Sequence, residues 1–161
     1  MPPITALLHT SNAAPRLGRA LETLLPCAEI LIVDHHSADA TARVAREYGA
    51  RILPADSGAT TNHYLNQARH DWILCLDPSE SISEGLQAAL FEWSCLPTFN
   101  GEGTPSFSMF VREQIDGNWR TQPAPETRLI PRTWTAWNGP LPAYDPSSMA
   151  LKGELLRFSH P

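Results

Sequence analysis

The chain has little lysine and no long apolar segment. Lys152 is the only lysine among its 161 residues, so an anionic ligand would have to be met by arginine, backbone amides or a metal ion. The longest apolar runs, residues 30–33 and 72–76, are far shorter than the roughly 18 residues that a membrane-spanning helix needs. The first residues lack the basic stretch followed by an apolar one that marks a secretory signal peptide. We therefore predict neither a transmembrane segment nor a cleaved leader.

Cysteine is also scarce. The three cysteines, Cys27, Cys75 and Cys95, have no spacing typical of a metal site and cannot all pair with one another. We expect reduced thiols in a cytoplasmic protein, with two of the three side chains in the core.

Positive charge is scarce in the first part of the chain. Residues 1–96 contain 6 arginines and 11 acidic residues, whereas residues 97–161 contain 6 basic and 6 acidic residues, so the net charge is −5. A nucleic-acid-binding surface needs clustered Lys and Arg to neutralise phosphates, so the sequence argues against a nucleic acid partner. Hydrophobic residues make up 42% of the chain, which is enough for a packed core and argues against disorder.

The first 96 residues alternate between strand and helix patterns. Apolar runs predict strands at residues 4–9, 29–34, 50–53 and 72–76. Helical spacing with capping residues predicts helices at residues 15–25, 39–48, 62–68 and 84–93. This order indicates an α/β fold, in which a mostly parallel sheet carries helices on both faces and binds ligands at the carboxyl ends of its strands. Asp34 and Asp77 lie at two such ends.

The last 65 residues are rich in proline and tryptophan. Alternating apolar residues predict strands at 107–111, near Trp119 and at 128–130, with an Asp116-Gly117 turn after the first. Residues 148–159 are interpreted as a hairpin about Lys152-Gly153, and residues 100–105 as a flexible connection. We predict that residues 97–161 form a short antiparallel or mixed extension of the same sheet, which makes 1–161 a single domain.

Three motifs in the first part occur in a fixed order. They are TSN at residues 10–12, VDHHSADAT at 33–41 and DWILCLDPSE at 71–80. In order and spacing they resemble the motifs of the family 2 glycosyltransferases, which have the GT-A fold. The tail, RLIPR at 128–132 and LKGELLRFS at 151–159, is similar to the small lipopolysaccharide-core branch of that family.

The resemblance implies a GT-A-like domain that transfers a sugar, with inversion, from a nucleotide-diphosphate sugar to a glycan or lipid-linked acceptor. The donor is expected to be of the UDP type. Residues 1–96 would be the nucleotide-binding half and residues 97–161 the acceptor-side extension. Such a protein works in cell envelope polysaccharide synthesis, in the cytoplasm or peripheral to the inner membrane.

The resemblance also assigns roles to individual residues. Thr10 and Asn12 match positions near the nucleoside, and Asp34 matches the aspartate that accepts a hydrogen bond from the base. Asp77 matches the first carboxylate of an Asp-x-Asp signature that holds the ribose and a divalent cation, Mg²⁺ or Mn²⁺. The cation neutralises the charge that develops on the leaving nucleoside diphosphate.

The chain departs from the family pattern at several of these positions. Ser79 replaces the second signature aspartate, and a hydroxyl is a weaker ligand for a hard cation than a carboxylate. Glu80, displaced by one residue, is the substitute metal ligand that we consider. Thr61 stands where a basic residue is often found. The acid that the lipopolysaccharide branch uses as its base aligns with residues 142–143, which are Pro and Ala, so the nearest later acid, Asp145, becomes the candidate base.

These departures leave alternatives to an active enzyme open. One is a non-catalytic nucleotide- or sugar-binding module that regulates another protein, and another is a purely structural partner for a second glycosyltransferase. Turnover of a nucleotide sugar would separate the enzyme from both.

Several candidate residues also have a simpler structural interpretation. Asp34 and Asp77 could cap turns at strand ends, and Asp39 reads as a helix N-terminal residue. The adjacent His35 and His36 would diverge on a loop and are weak metal ligands. Aromatic rings in the second part could stack on sugars but more often close a small core; they are Trp119, Trp134 and Trp137.

Overall fold

A computed structural model describes residues 3–95 and 106–161. The first part has the expected alternation of strands and helices, with one short strand, β5, that was not expected. Its elements are β1 (Ile4–Thr10), α1 (Ala14–Leu21), β2 (Glu29–Asp34), α2 (Thr41–Glu47), β3 (Arg51–Pro54), α3 (Thr61–Leu65), β4 (Trp72–Leu76), β5 (Glu80–Ile82) and α4 (Glu84–Cys95). Those of the second part are β6 (Phe107–Ile115), β7 (Asn118–Thr121), β8 (Glu126–Pro131), β9 (Trp137–Asn138), β10 (Leu141–Pro142) and β11 (Met149–Arg157).

Nine of these strands form one sheet. Its order is β3-β2-β1-β4-β8-β6-β11-β5, with β7 paired to β6, and β9 and β10 form a separate small ribbon. Strands β1 to β4 are parallel to one another, β8 is antiparallel to β4 and β6, and β11 runs parallel to β6. The expected α/β fold, a parallel sheet with a mixed extension, is therefore confirmed.

The side chains of the sheet separate two hydrophobic cores. In β1, Ile4, Ala6 and Leu8 pack with residues of α1, α2 and α4, whereas Leu7 packs with residues of α3. This alternation follows from the two-residue period of a strand that is buried on both faces. Helices on both faces are the layer arrangement predicted from the sequence.

The helix ends follow local chemistry. Pro15 lies in the first turn of α1, where its missing N–H is not needed. The helix ends at Leu21, earlier than expected, and Leu25 is 71% exposed. Gly49 ends α2 with a φ of +74°, a conformation that glycine adopts without steric cost. Helix α3 is shorter than the predicted 62–68 segment.

The predicted hairpin at residues 148–159 is wrong. Those residues form one strand, β11, which pairs with β6 on one side and β5 on the other. Its register against β6 shifts between Ala150 and Glu154, so Lys152-Gly153 forms an irregularity within a strand and not a turn. The Asp116-Gly117 turn is confirmed, with positive φ values of 50° and 79° that suit a tight hairpin.

Smaller expectations have mixed outcomes. Cys75 is buried, Cys27 is half-buried against the core and Cys95 is exposed; all three are free thiols. In the described part of the chain no helix is long and apolar enough to cross a membrane. The predicted connection at residues 100–105 lies outside the described residues.

We predict that Gly153→Ala strongly destabilises the protein. Gly153 has a φ of +89°, and a Cβ there would lie 2.2 Å from the backbone nitrogen of Leu86 in α4. The left-handed conformation alone costs a non-glycine residue roughly 1–2 kcal/mol, and displacing helix backbone adds about 1–3 kcal/mol. Urea unfolding should therefore show a loss of about 3 kcal/mol.

Gly117→Ala is the matched control. Gly117 has a similar φ of +79°, but a Cβ there would meet nothing within 4 Å. Its loss should stay near the roughly 1–2 kcal/mol of the backbone conformation. Equal losses in the two variants would show that β11 does not press on α4 at Gly153.

Candidate functional site

The candidate site lies at the carboxyl ends of β1, β2 and β4. Thr10 and Asp34 end β1 and β2 and are direct partners in the parallel ladder. Leu8 pairs with Leu76 of β4, so the chain leaves that strand into Asp77 on the other side of β1. The fold thus brings three of the predicted site residues, Thr10, Asp34 and Asp77, to one edge of the sheet.

Asp34 is held by hydrogen bonds to its carboxylate. The Thr10 hydroxyl donates to Oδ1 at 2.8 Å and the Ser37 hydroxyl to the same atom at 2.5 Å, while the Ser37 amide donates to Oδ2 at 3.1 Å. Burial by itself would raise the pKa of Asp34, but the hydrogen bonds from Ser37 and Thr10 lower it below its usual value. The group is therefore ionised at neutral pH, and Oδ2 accepts one hydrogen bond and can accept another.

Asn12 joins the loops that follow β1 and β2. Its backbone has a φ of +50°, which asparagine tolerates better than most residues. The Asn12 side-chain oxygen accepts a hydrogen bond from the Ala38 backbone amide at 2.8 Å, and the Asn12 backbone amide donates to the Ser37 hydroxyl at 2.9 Å. The structure thus gives Asn12 a loop-bracing contact, and its proximity to a nucleoside stays a prediction.

Asp39 braces the starts of two helices. Its carboxylate accepts from the Ala14 amide at 3.2 Å and the Thr41 amide at 3.0 Å, and it also bonds the Thr41 hydroxyl. The Thr41 hydroxyl in turn accepts from the Ala13 amide at 3.0 Å. This agrees with the helix-terminal interpretation of Asp39, and it fixes the first turn of α1 against the loop after β2.

His9 separates two cavities at this edge. One, of about 220 Å³, is lined by His9, Ser11, Ala13, Arg16, Asp77 and Pro78. The other, of about 310 Å³, is lined by His9, His35, Asp56, Ala59, Thr61, Tyr64, Gly139 and Pro140. His9 Nδ1 lies 2.9 Å from His35 Nε2, so one ring donates a hydrogen bond and the other accepts it. Burial, followed by the nearby His35, lowers the pKa of His9 to about 4.

Asp77 accepts hydrogen bonds from Ser79, the serine at the position where the resemblance implies a second aspartate. The Ser79 amide and hydroxyl both donate to Asp77 Oδ1, at 2.9 and 2.6 Å. The same Asp-Pro-Ser arrangement recurs at Asp145, whose Oδ1 accepts from Ser147. Asp77 lines the smaller cavity, and its Oδ2 accepts no hydrogen bond from the residues that the structure describes.

The structure gives Glu80 a role different from the predicted metal ligand. Glu80 is fully buried, and its two oxygens accept from the Arg128 guanidinium at 2.6 and 2.8 Å and from Arg157 at 2.9 Å. Burial would raise the pKa of Glu80, but Arg128 first and then Arg157 lower it. Because its oxygens face guanidinium groups inside the protein, the metal role for Glu80 does not agree with the geometry.

The donors that remain do not make a divalent cation site. Among residues 3–95 and 106–161 no three His, Cys, Asp or Glu side chains are grouped as metal ligands. A hard cation prefers about six oxygen ligands, and Asp77 Oδ2 alone would leave almost all of that shell to other molecules. The residues present therefore do not fit the expected ion by themselves.

Asp145, the predicted base, lies on the segment between β10 and β11. Its Oδ2 accepts from the Ser106 hydroxyl at 2.9 Å, and its amide donates to the Thr127 hydroxyl at 2.9 Å. The hydroxyl and amide of Ser147 lower the pKa of Asp145. No contact in the described residues joins Asp145 to Asp34 or Asp77, so its catalytic role stays a prediction.

The three tryptophans considered for sugar stacking lie in two different places. Trp134 and Trp137 both bond Asn62, through the Trp134 carbonyl and the Trp137 indole N–H, the latter at 2.8 Å. Trp119 packs edge-on against Phe158, with ring centroids 5.1 Å apart. The Phe158 amide donates to the Ser79 carbonyl at 3.0 Å, so Trp119 belongs to a cluster that borders the loop carrying Asp77.

Sequence reasoning missed two features of this site. Arg16 shares the smaller cavity with Asp77, and Arg128 forms the buried pair with Glu80. Arg16 lies four residues after the last residue of the TSN motif, so its nearness to the motif in sequence was the available signal. A fully buried arginine such as Arg128 has no signal in a single sequence, because its partner is 48 residues away.

Comparisons with known proteins agree with the motif resemblance. The family model described as "Glycosyl transferase family 2" matches residues 5–90, just over half of the chain. An uncharacterized glycosyltransferase of Rickettsia bellii (strain RML369-C) is 32% identical over 88 residues, which cover 52% of this chain and 30% of that protein. Lipopolysaccharide core biosynthesis glycosyltransferase LpsC of Rhizobium meliloti (strain 1021) is 31% identical over 98 residues, 56% of this chain and 36% of that protein. The chain thus spans about a third of the length of the curated relatives that it matches.

A solved structure shows the same fold. Glucosyl-3-phosphoglycerate synthase from Mycobacterium tuberculosis, in complex with Mn²⁺, uridine diphosphate and glucosyl-3-phosphoglycerate, superimposes with a TM-score of 0.52. It is 18% identical, and the match covers 69% of this chain and 44% of that one. The expected GT-A-like fold is therefore confirmed.

We predict that breaking the Glu80–Arg128 pair destabilises the fold. Arg128→Met removes the guanidinium and leaves a buried carboxylate with Arg157 as its remaining close cation. Loss of one member of a buried ion pair costs about 3–5 kcal/mol, which urea unfolding measures directly. Arg43→Met, at an exposed pair with Glu47, should change stability by less than about 0.5 kcal/mol.

A double variant checks the cause. Glu80→Gln in the Arg128→Met background removes the uncompensated charge and should restore part of the lost stability. A single-variant loss below about 1 kcal/mol would contradict a buried pair of this strength.

We predict that His9 makes stability fall on acidification. The pKa of His9 in the folded protein is about 4, below the 6.5 of histidine in an unfolded chain, so between these pH values the unfolded chain binds more protons. The free energy of unfolding should therefore decrease as pH falls from about 6.5 towards 4, at up to about 1.4 kcal/mol per pH unit for one proton. Urea unfolding at several pH values should show that the unfolding free energy of His9→Asn changes less with pH than that of wild type. The variant His36→Asn, at an exposed position, should have the same pH dependence as wild type. Equal slopes for wild type and His9→Asn would contradict a neutral His9.

Proposed function

Because the chain belongs to glycosyl transferase family 2, we propose that it transfers a sugar from a UDP-type nucleotide-diphosphate sugar to a glycan or lipid-linked acceptor. The observation that carries this proposal is the ionised Asp34, which Thr10 and Ser37 hold at the carboxyl end of β2. The next residue, His35, lines the 310 Å³ cavity. Support for the donor class comes from the uridine diphosphate bound to the mycobacterial synthase. Support for a cell envelope acceptor comes from the lipopolysaccharide core role in the name of LpsC.

The two parts of the chain would divide this work. Residues 1–96 would bind the nucleotide, since Thr10, Asp34 and Asp77 all belong to them. Residues 97–161 would border the acceptor, since Phe158 lies against the loop that carries Asp77. The 310 Å³ cavity beside His35 would take the nucleoside end, and the 220 Å³ cavity, which Arg16 and Asp77 line, would take the diphosphate.

Asp34 would recognise the base. A uracil ring presents an imide N–H, which needs an acceptor, and an ionised carboxylate has acceptors only. Oδ2 accepts one hydrogen bond, from the Ser37 amide, and has capacity for a second. Thr10 and Ser37 fix the orientation of the carboxylate before the ligand arrives, which lowers the entropic cost of binding.

The reaction would be a direct displacement with inversion. The acceptor oxygen forms a bond to the anomeric carbon as the bond from that carbon to the diphosphate oxygen breaks. The nucleoside diphosphate leaves with the electron pair, and an acidic side chain takes the proton of the acceptor hydroxyl. We assign that side chain to Asp145, which its lowered pKa keeps ionised at neutral pH.

A divalent cation is the counter-ion that the family resemblance implies. Mn²⁺ accompanies uridine diphosphate in the mycobacterial synthase, and Mg²⁺ or Mn²⁺ was expected here. Such an ion would supply positive charge to the leaving diphosphate. Since the donors of this chain do not fit the ion by themselves, no step above depends on it.

We predict that Asp34→Asn weakens binding of UDP. The amide keeps the size of the side chain but places a donor group opposite the imide N–H or in place of a Thr10 or Ser37 contact. An unmatched polar contact costs about 1–3 kcal/mol, or about 5- to 150-fold in affinity, measured by titration calorimetry. Asp71→Asn, the same chemical change at a side chain that is 86% exposed, should bind UDP as wild type does.

Three outcomes bear on the proposal separately. Equal UDP affinity in wild type and Asp34→Asn would reject Asp34 as the base contact. Release of UDP from UDP-glucose or UDP-N-acetylglucosamine in the presence of an acceptor glycan would support transfer. Binding of UDP that leaves these sugars intact would instead indicate a non-catalytic binding module.

A further inference from the structure

The diphosphate of the proposed donor carries negative charge, which a positively charged group has to balance. The wall of the 220 Å³ cavity carries Asp77, a carboxylate that would repel it. His9, which also lines the cavity, is neutral at pH 7 because burial holds its pKa at about 4.

The usual metal ion has too few protein ligands to take that place. Ser79 occupies Asp77 Oδ1 with two hydrogen bonds, and the oxygens of Glu80 face Arg128 and Arg157. One carboxylate oxygen remains, whereas a hard cation prefers several.

Arg16 lines the same cavity as Asp77. In residues 3–95 and 106–161 its guanidinium makes no ion pair and no hydrogen bond, so its charge is not already neutralised by a neighbour. The backbone position of Arg16 is fixed, because Pro15 precedes it and hydrogen bonds to Asp39 and Thr41 hold the first turn of α1. A guanidinium is always charged and can donate two parallel hydrogen bonds to a phosphate.

We propose that Arg16 is the cation that binds the diphosphate of the donor, in place of a divalent metal ion. The inference rests on the proposed nucleotide-sugar function and adds a residue and a cofactor requirement to it. Arg16 would neutralise the charge that develops on the leaving diphosphate, and it would offset the repulsion from Asp77. Nucleotide binding in this chain is then independent of metal ions.

The experiment compares uridine with UDP, because only UDP carries the diphosphate. Titration calorimetry on the full chain in EDTA should show UDP binding about 10- to 100-fold more tightly than uridine, as charge-assisted hydrogen bonds provide. Arg16→Gln should reduce UDP affinity to that of uridine and leave uridine affinity unchanged. Addition of Mn²⁺ should change wild-type UDP affinity by less than about threefold, well under one tenfold step.

Arg19→Gln is the matched control. Arg19 lies one turn further along α1, and its guanidinium stacks on Phe158 at 3.7 Å and bonds the His160 carbonyl. The substitution Arg19→Gln removes the same charge from the same helix as Arg16→Gln does, so a general electrostatic effect on UDP binding would appear in both variants. We expect Arg19→Gln to bind UDP as wild type does.

The variant Ser79→Asp tests whether a second carboxylate makes UDP binding depend on a metal ion. It restores the second carboxylate and frees Asp77 Oδ1 from the serine hydroxyl, so UDP affinity should become Mn²⁺-dependent. Wild-type binding that requires Mn²⁺, or equal loss of UDP affinity in Arg16→Gln and Arg19→Gln, would overturn the role of Arg16 while the nucleotide function stands. Absence of binding by both uridine and UDP would reject the nucleotide function itself, and the Arg16 proposal with it.

Discussion

The buried ion pair between Glu80 and Arg128 holds together parts of the chain that are far apart in sequence. A carboxylate and a guanidinium in the core are stable only if each meets its partner, since both have lost their hydration. Arg128 of β8, Arg157 of β11 and the start of β5 therefore have to meet. Glu80 also accepts from the Asp77 amide at 2.8 Å, which ties the position of Asp77 to this pair. The second part of the chain thus sets the geometry of a site whose motif residues belong to the first.

The motif residues themselves form much of that site's scaffold. Asn12, Ser37 and Asp39 bond the backbones of neighbouring loops, and Thr10 orients Asp34. This mutual bracing depends on the spacing of the motif residues along the chain. These contacts fix the orientation of the ionised Asp34 carboxylate at the strand ends, and a group that is already oriented loses less entropy when it binds a partner.

The sequence predicted the first part of the fold closely and the second part less well. Buried strands such as Glu29–Asp34 and Trp72–Leu76 have runs of apolar residues that identify them without tertiary information. The hairpin predicted at residues 148–159 was wrong because Lys152-Gly153 has the sequence of a turn. Gly153 is needed for a different reason: the backbone of α4 passes so close that a Cβ would not fit, and no local pattern reveals that contact. Glu80 was assigned to a metal for the same reason, since its two arginine partners lie 48 and 77 residues away.

By itself the sequence determined the family, the alternation of strands and helices and the edge of the sheet at which Thr10, Asp34 and Asp77 meet. These depend on local periodicity and on motif spacing, both of which a single chain records. Only the tertiary structure decided which charges are free to act. It buried Glu80 against Arg128 and bonded Asp77 to Ser79. It also placed Arg16 on the cavity wall, where its guanidinium has no ion pair among residues 3–95 and 106–161. Whether a charged group serves structure or ligand depends on the neighbours that folding brings to it, because burial and pairing set both its energy and its availability.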